Sequence, residues 1–563
     1  WRAVYCDSRQ CIFMKVTFLM ENKKTVWIIL LAIVLLGTYL RFYKLGAIPN
    51  SLNWDEVSWG YNGYSIAETG RDEWGNLLPL SFKAFGDYKQ PVYVYLTAIS
   101  IKLFGPSAFS VRFPSALLGS LALFMTYFLV KDLLYAANRS NKTYSVFIGL
   151  LTSLFLALSP WHIQFSRVAY EANVGLFFVI LGVWMFIKGI HEKSWKLLYW
   201  SVVPLTLSAM TYHSEKIFTP VLFAGLLIYG YRFLIANKRF ALWLALLFIL
   251  LNSIWAVDVR TTARGRSVTI FSNQTKVLGP SIEYIEFDRL NHDLFGVVQH
   301  NRRIVYVLKY AENYLSHFNP VFLYITGDDT RHHAPAMGIL YITLLPALLL
   351  GFRNILLRGG RGGKLLIFWF FLSPVAAALA IDAPNASRSL IFLPTWHVFE
   401  AVGLISFIHY LFAQKYRWIS KLVVSLVVVL YMGNVFYYIH HYFVHTNIET
   451  ERDWQYGYKQ AIDKISDYPD KRIFFDSSVE QGYIFYLFHT KYDPADYSAD
   501  GGSNRRLYDC YTINTVYFGN CLGVILSGDI LMSADRKDEN SYNIVDQVLL
   551  GDGKPAVYIL EKR

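Results

Sequence analysis

Two adjacent carboxylates, Asp55 and Glu56, lie between Trp54 and Trp59 in the segment Asn50 to Glu68, at the start of a predicted helix. A single carboxylate within ~2.6–3.2 Å of a hydroxyl can take its proton in a transition state, so either residue is a candidate general base. Glu56 also has a structural reading, because Asn53 followed three residues later by Glu56 is a capping-box pattern. Capping explains Asp55 less well, since its aromatic flanks make an unpartnered carboxylate costly. Cations that could hold an anion stand in other polar stretches just before apolar runs: Arg388 in Asp382 to Arg388, and Arg331, His332 and His333 after Asp328 and Asp329. Each could instead snorkel to lipid headgroups. Asp328, Asp329, His332 and His333 would also suit a divalent metal such as manganese or zinc, although adjacent histidines are a weak signal and a metal-free site is expected. Tyr212 to Lys216, and Arg167, Tyr170 and Glu171, could line a cavity or make surface ion pairs.

The elements that must position these groups are membrane helices. Of 563 residues, 54% are hydrophobic and 17% charged, against roughly 25% charged in soluble domains. With a mean hydropathy of +0.31, this points to a polytopic α-helical membrane protein. Apolar runs near 26–43, 113–134, 144–160, 173–190, 197–212, 217–235, 240–257, 337–352, 365–381, 389–411 and 418–440 predict about eleven spans, nearly free of central charges. With the leader Lys23 and Lys24 inside, alternation places five basic groups in the cytoplasm: Lys131/Arg139/Lys142, Lys188/Lys193/Lys196, Arg232/Lys238/Arg239, Arg353/Arg358/Arg361/Lys364 and Lys415/Arg417/Lys421. The excess of 53 Lys+Arg over 41 Asp+Glu is explained by these loops, and no nucleic-acid partner is expected.

Three regions follow: a leader at 1–24, whose residues before Met20 read as non-native; a transmembrane domain at 25–442 with outer loops 44–112 and 258–336; and a polar tail at 443–563. In the tail, helices near 454–466 and 480–489 and strands at 472–475, 515–518, 529–532 and 556–560 predict a small extracytoplasmic α/β domain. Cys510 and Cys521 could pair there, whereas Cys6, Cys11, Cys510 and Cys521 have no zinc-ligand spacing. Gly551 to Lys554 is not a Walker loop, and no GxGxxG unit is present. Sequons at Asn138, Asn141, Asn273 and Asn385 read as chance.

Asp55-Glu56 after the first span, Asp87-Tyr88-Lys89-Gln90-Pro91, Val111-Arg112-Phe113-Pro114, Ser159 to Glu171 and Gly327 to His333 together resemble the GT-C membrane glycosyltransferases. The nearest likeness is to the bacterial protein O-mannosyltransferase family and the lipid A aminoarabinose transferases, over roughly residues 25–440. The resemblance implies an outer-facing cavity in a plasma (inner) membrane protein, a polyprenyl-phosphate-linked sugar donor, and inverting transfer to a lipid, glycan or protein hydroxyl. It implies Asp55 as the catalytic aspartate and Lys89 as the contact to the donor phosphate, with Asp87 and Tyr88 beside it and Arg388, Arg331 and His332 as further substrate-binding candidates. No cofactor is required on this reading, a divalent metal being the alternative. Ser58 stands where the aminoarabinose transferases carry an arginine, so phosphate binding must rely on other cations. A transporter or flippase for a lipid-linked glycan is the competing reading, and an anchored assembly protein built around the tail is a third.

Overall fold

Every apolar run falls, at least in part, on a helix in the computed structural model, which describes residues 21–137, 142–256, 268–414, 416–507 and 509–563. Residues before Met20, and with them Cys6 and Cys11, lie outside the described residues, as do Asn138, Arg139, Asn141 and Lys415.

The span count differs from the expected eleven. Among the described residues six helices are long and apolar enough to cross a membrane: Lys23–Phe42, Ala108–Tyr135, Glu171–His191, Lys238–Ala256, Ala386–Phe412 and Arg417–Glu449. A seventh arises if Thr143–Leu158 and Pro160–Arg167, bent by 57°, form one span. The remaining runs give Trp195–Ala209, Glu215–Tyr229, Leu345–Arg358 and Gly360–Ala377, of 14 to 18 residues. At 1.5 Å per residue these fall short of a hydrocarbon core about 30 Å thick. Summed hydropathy registers such runs without showing where the helix ends.

The chain divides into two compact units that do not follow the linear division at 442/443. One holds the chain up to Arg41, Leu117–Ser166 and Glu171–Ile439; the other holds Phe42–Ala116, Arg167–Tyr170 and His440–Arg563. The segment Phe42–Ala116 therefore belongs with the tail.

Within the helical unit, Leu345–Arg358 and Leu393–Phe412 approach backbone to backbone. A Cβ on Gly351 would meet the Phe399 carbonyl at 1.7 Å, and one on Gly403 the Ala347 carbonyl at 1.7 Å, so only glycine fits either position. The expectation of spans nearly free of central charge is corrected here, because His397 and Glu400 are 3% and 1% exposed and pair at 2.6 Å. Mutual pairing makes ionisable groups tolerable at that depth.

In the other unit the tail forms a six-stranded sheet from β3 (Ile473–Phe475), β4 (Cys510–Ile513), β5 (Val516–Gly519), β6 (Ile530–Ser533), β7 (Tyr542–Leu549) and β8 (Pro555–Lys562), in the order β4-β5-β3-β6-β8-β7. β3 runs parallel to β5 and β6, and the remaining pairs are antiparallel. Antiparallel pairing sets Cys510 opposite Gly519, which brings Cys521 close enough for the Cys510–Cys521 disulfide. The helix Gly482–His489 packs on the helix Trp54–Thr69, where a Cβ on Gly60 would strike the Phe488 ring at 2.6 Å. A buried polar knot joins the same parts. Glu73 accepts from Asn62 at 3.1 Å, Ser503 at 2.6 Å and Tyr483 at 3.2 Å, and burial, opposed by Arg506, pushes its carboxyl above the ordinary range.

Candidate active site

The helix Trp54–Thr69 begins with a complete capping box: the Asn53 side chain accepts the Glu56 N–H at 3.0 Å and Glu56 Oε2 accepts the Asn53 N–H at 3.3 Å. Asp55 therefore sits in the first turn, where the helix dipole favours an ionised carboxylate.

Glu56 points the other way, into the protein. At 1% exposure, its two oxygens take the Arg112 Nε and guanidinium N–H groups at 2.9 Å each, and Oε1 also accepts the Ala169 N–H at 2.9 Å. Arg112 spends its other N–H groups on the carbonyls of Leu45 (3.2 Å), Pro49 (2.8 Å) and Ser51 (2.6 Å), so all five guanidinium donors are used. One buried cation thus gathers the chain from Leu45 to Ser51 around the start of the helix that carries Asp55. Sequence reasoning gave Glu56 a catalytic part beside Asp55. The geometry makes it a counter-ion, and Arg112, quoted for resemblance alone, is the residue that was missed. Its signal was an arginine entering an apolar helix.

Lys89 arrives from a tight hairpin. β1 (Phe82–Ala84) pairs antiparallel with β2 (Asp87–Lys89), and the two linking residues, Phe85 at φ 52° and Gly86 at φ 78°, both take the left-handed conformation that such two-residue turns require. Asp87 and Tyr88 lie on β2 opposite Ala84 and Lys83, and Asp87 Oδ1 accepts the Tyr88 N–H at 2.7 Å. The Lys89 ammonium ends over the Trp59 ring, 4.2 Å from its centroid, and bonds directly to Asp55 Oδ1. Its side chain is 7% exposed and that of Asp55 39%, so the carboxylate is the open member of the pair and the lysine the enclosed one.

Arg331, His332 and Arg388 fall in the helical unit, where two loops meet. Arg331 pairs with Asp329 at 3.0 Å and Arg388 with Asp382 at 2.5 Å. Asp328 joins the loops, accepting the Ala386 N–H at 2.8 Å and lying 2.8 Å from His332 Nδ1. Burial raises the Asp328 carboxyl, but His332 and these hydrogen bonds outweigh it and leave it below the ordinary range; Asp329 is lowered likewise against burial by Arg331 and His332. The four residues considered as metal ligands are thus engaged locally, with His333 Nδ1 bonded to the Ala334 carbonyl at 2.9 Å. In the same unit Tyr212 lies 3.0 Å from Ser387, and Glu215 is buried.

His317 supports this corner as a neutral imidazole. Its Nδ1 donates to the Asn313 carbonyl at 2.8 Å and its Nε2 accepts the Asn385 N–H at 3.3 Å, a pattern open only to one tautomer. Burial lowers its pKa from 6.5 to about 4. A folded value below the unfolded one gives stability that is whole above pH ~6.5 and is lost as pH falls toward 4. Stability against thermal unfolding in lipid is expected to fall over that window, by up to roughly 3 kcal/mol from this residue. His317→Gln should have a shallower pH slope, and an unchanged slope would contradict the assignment.

The family described as dolichyl-phosphate-mannose-protein mannosyltransferase matches residues 88–256, under a third of the chain. ArnT from Cupriavidus metallidurans superposes over 96% of this chain and 98% of its own, with TM-score 0.52 at 10% identity. The fold is of the GT-C membrane glycosyltransferase type. The same likeness holds for that ArnT bound to undecaprenyl phosphate, with TM-score 0.52, 10% identity and the same coverage. A second GT-C structure is similar: the archaeal oligosaccharyltransferase AglB from Archaeoglobus fulgidus, in complex with an inhibitory peptide and a dolichol-phosphate, at TM-score 0.50 and 13% identity. That match takes in 82% of this chain and only 63% of AglB. No curated protein matches the chain by sequence.

Proposed function

We propose that the protein transfers a sugar from a polyprenyl-phosphate donor to an acceptor hydroxyl at the outer face of a plasma membrane, with inversion. The observation that carries this reading is the open carboxylate of Asp55, held in a first helical turn by the enclosed ammonium of Lys89. The acceptor oxygen bonds to the anomeric carbon while the bond from that carbon to the phosphate oxygen breaks. The acceptor proton passes to Asp55 and polyprenyl phosphate departs. Glu56 and Arg112 keep the carboxylate in place and do not touch the reacting atoms. ArnT bound to undecaprenyl phosphate and AglB with dolichol-phosphate support a lipid-phosphate donor for a chain of this fold. With the bent pair counted as one span, Lys131, Lys188/Lys193/Lys196, Arg232/Lys238/Arg239 and Arg417/Lys421 support an inner position for those groups, and hence an outer one for Asp55 and the tail; Arg353 to Lys364, beside two helices too short to cross, do not bear on it. No metal is needed for this displacement.

Lys89 is the cation on which the growing phosphate charge falls. Lys89→Met is expected to weaken donor use by roughly 10- to 100-fold in kcat/KM, the size of a charge-assisted hydrogen bond. Unchanged donor kinetics would remove Lys89 from the reaction. Single displacement is tested separately by the anomeric configuration of the product: inversion is expected, and retention would overturn the mechanism.

His397 and Glu400, paired inside a span, suit a transporter of lipid-linked glycan. Flipping of donor across a sealed vesicle by a chain that transfers no sugar would favour that reading.

A further inference from the structure

The C-terminal end of the last span departs from regular α-helix. The helix Arg417–His440 runs into one π-helical turn, His441–His445, and then the short helix Thr446–Glu449. Widened turns of this kind are uncommon and recur at functional sites. This one carries His440, His441, His445 and Glu449, none of which the transfer mechanism uses.

Their arrangement is that of a ligand set. His441, His445 and Glu449 each offer a ligand atom, and these atoms lie within 4.8 Å of one another; it is the one group of three or more such residues among those described. The His441 and His445 rings are 4.8 Å apart at 22°, and the His440 ring is 5.0 Å from His445. His440 Nε2 and His445 Nε2 are 3.3 Å apart. Two nitrogens bound tetrahedrally at ~2.0–2.1 Å from a zinc ion are separated by about that distance. On its other side, His445 Nδ1 lies 2.8 Å from Glu449 Oε1. A carboxylate accepting from Nδ1–H leaves the Nε2 lone pair facing His440, the outer-shell arrangement by which proteins orient a metal-binding histidine. The side chains are reachable, His445 being 35% and Glu449 45% exposed.

We propose that His440, His441 and His445 bind a divalent transition metal of the zinc class at the C-terminal end of the last span, with Glu449 orienting His445. A set of imidazoles suits zinc or cobalt(II) over magnesium or calcium, which favour all-oxygen shells. The site is independent of the transferase reading, since it shares no residue with it.

The test uses the full chain purified in lipid, with no polyhistidine tag and stripped by chelator, titrated with cobalt(II) as the probe. One equivalent is expected to bind with the intense visible absorption of a tetrahedral site, and zinc should displace it. His445→Ala should weaken binding at least ~100-fold, and Glu449→Gln, which leaves the imidazoles in place, by about 10- to 100-fold. His332→Asn should leave it unchanged. Absence of cobalt binding at 100-fold molar excess, or equal binding by wild type and Glu449→Gln, would overturn the proposal. So would loss of binding in His332→Asn, which would move the metal to the Asp328 loop.

Discussion

Asp55→Asn is expected to lower turnover by roughly 10²- to 10⁴-fold, the range associated with a positioned general base, while the protein folds normally. The substitution keeps the shape of the side chain and an oxygen for the Lys89 ammonium. The cap of the helix is unaffected, because it is made by Asn53 and Glu56. Donor affinity should change little, since the base acts on the acceptor proton as the new bond forms. The loss should therefore appear in kcat and kcat/KM together. A folded Asp55→Asn protein with near-normal turnover would end the proposed role.

The second large effect concerns stability. Arg112→Met removes the cation that satisfies a carboxylate 1% exposed and three backbone carbonyls. Breaking one side of a buried ion pair costs about 3–5 kcal/mol, because the other charge stays buried without compensation. Thermal unfolding in lipid should shift down accordingly, and the remaining folded protein should lose activity as the start of the Asp55 helix loosens. Adding Glu56→Gln to Arg112→Met should recover part of the stability, because the stranded charge is gone even though the carbonyls are not satisfied. A double variant no more stable than Arg112→Met, or a single variant as stable as wild type, would contradict the picture of Glu56 and Arg112 as a mutually dependent pair.

Much of this site was legible as residue types. Asp55 drew attention as a carboxylate among tryptophans, and Asn53 with Glu56 showed the capping box. What could not be read was pairing. Asp55 and Lys89 are 34 positions apart, and Glu56 and Arg112 are 56 apart; nothing local says which cation meets which carboxylate. The tail shows the same limit. The four expected strands are present, each close to its expected position, but β4 and β7 were missed. Both are edge strands, and β7 buries only Val548, so neither displays the alternation that marks a half-buried strand. The helices were found, but apolar length alone did not set the number of spans.

The measurement that bears most directly on the central claim is transfer itself. Purified protein in lipid, given radiolabelled polyprenyl-phosphate sugars and membrane extract as the acceptor source, should release polyprenyl phosphate and move label to an acceptor, and Asp55→Asn should do neither. Tight donor binding by both proteins with no label transferred would contradict the transferase account and leave a protein that carries or holds the lipid-linked sugar.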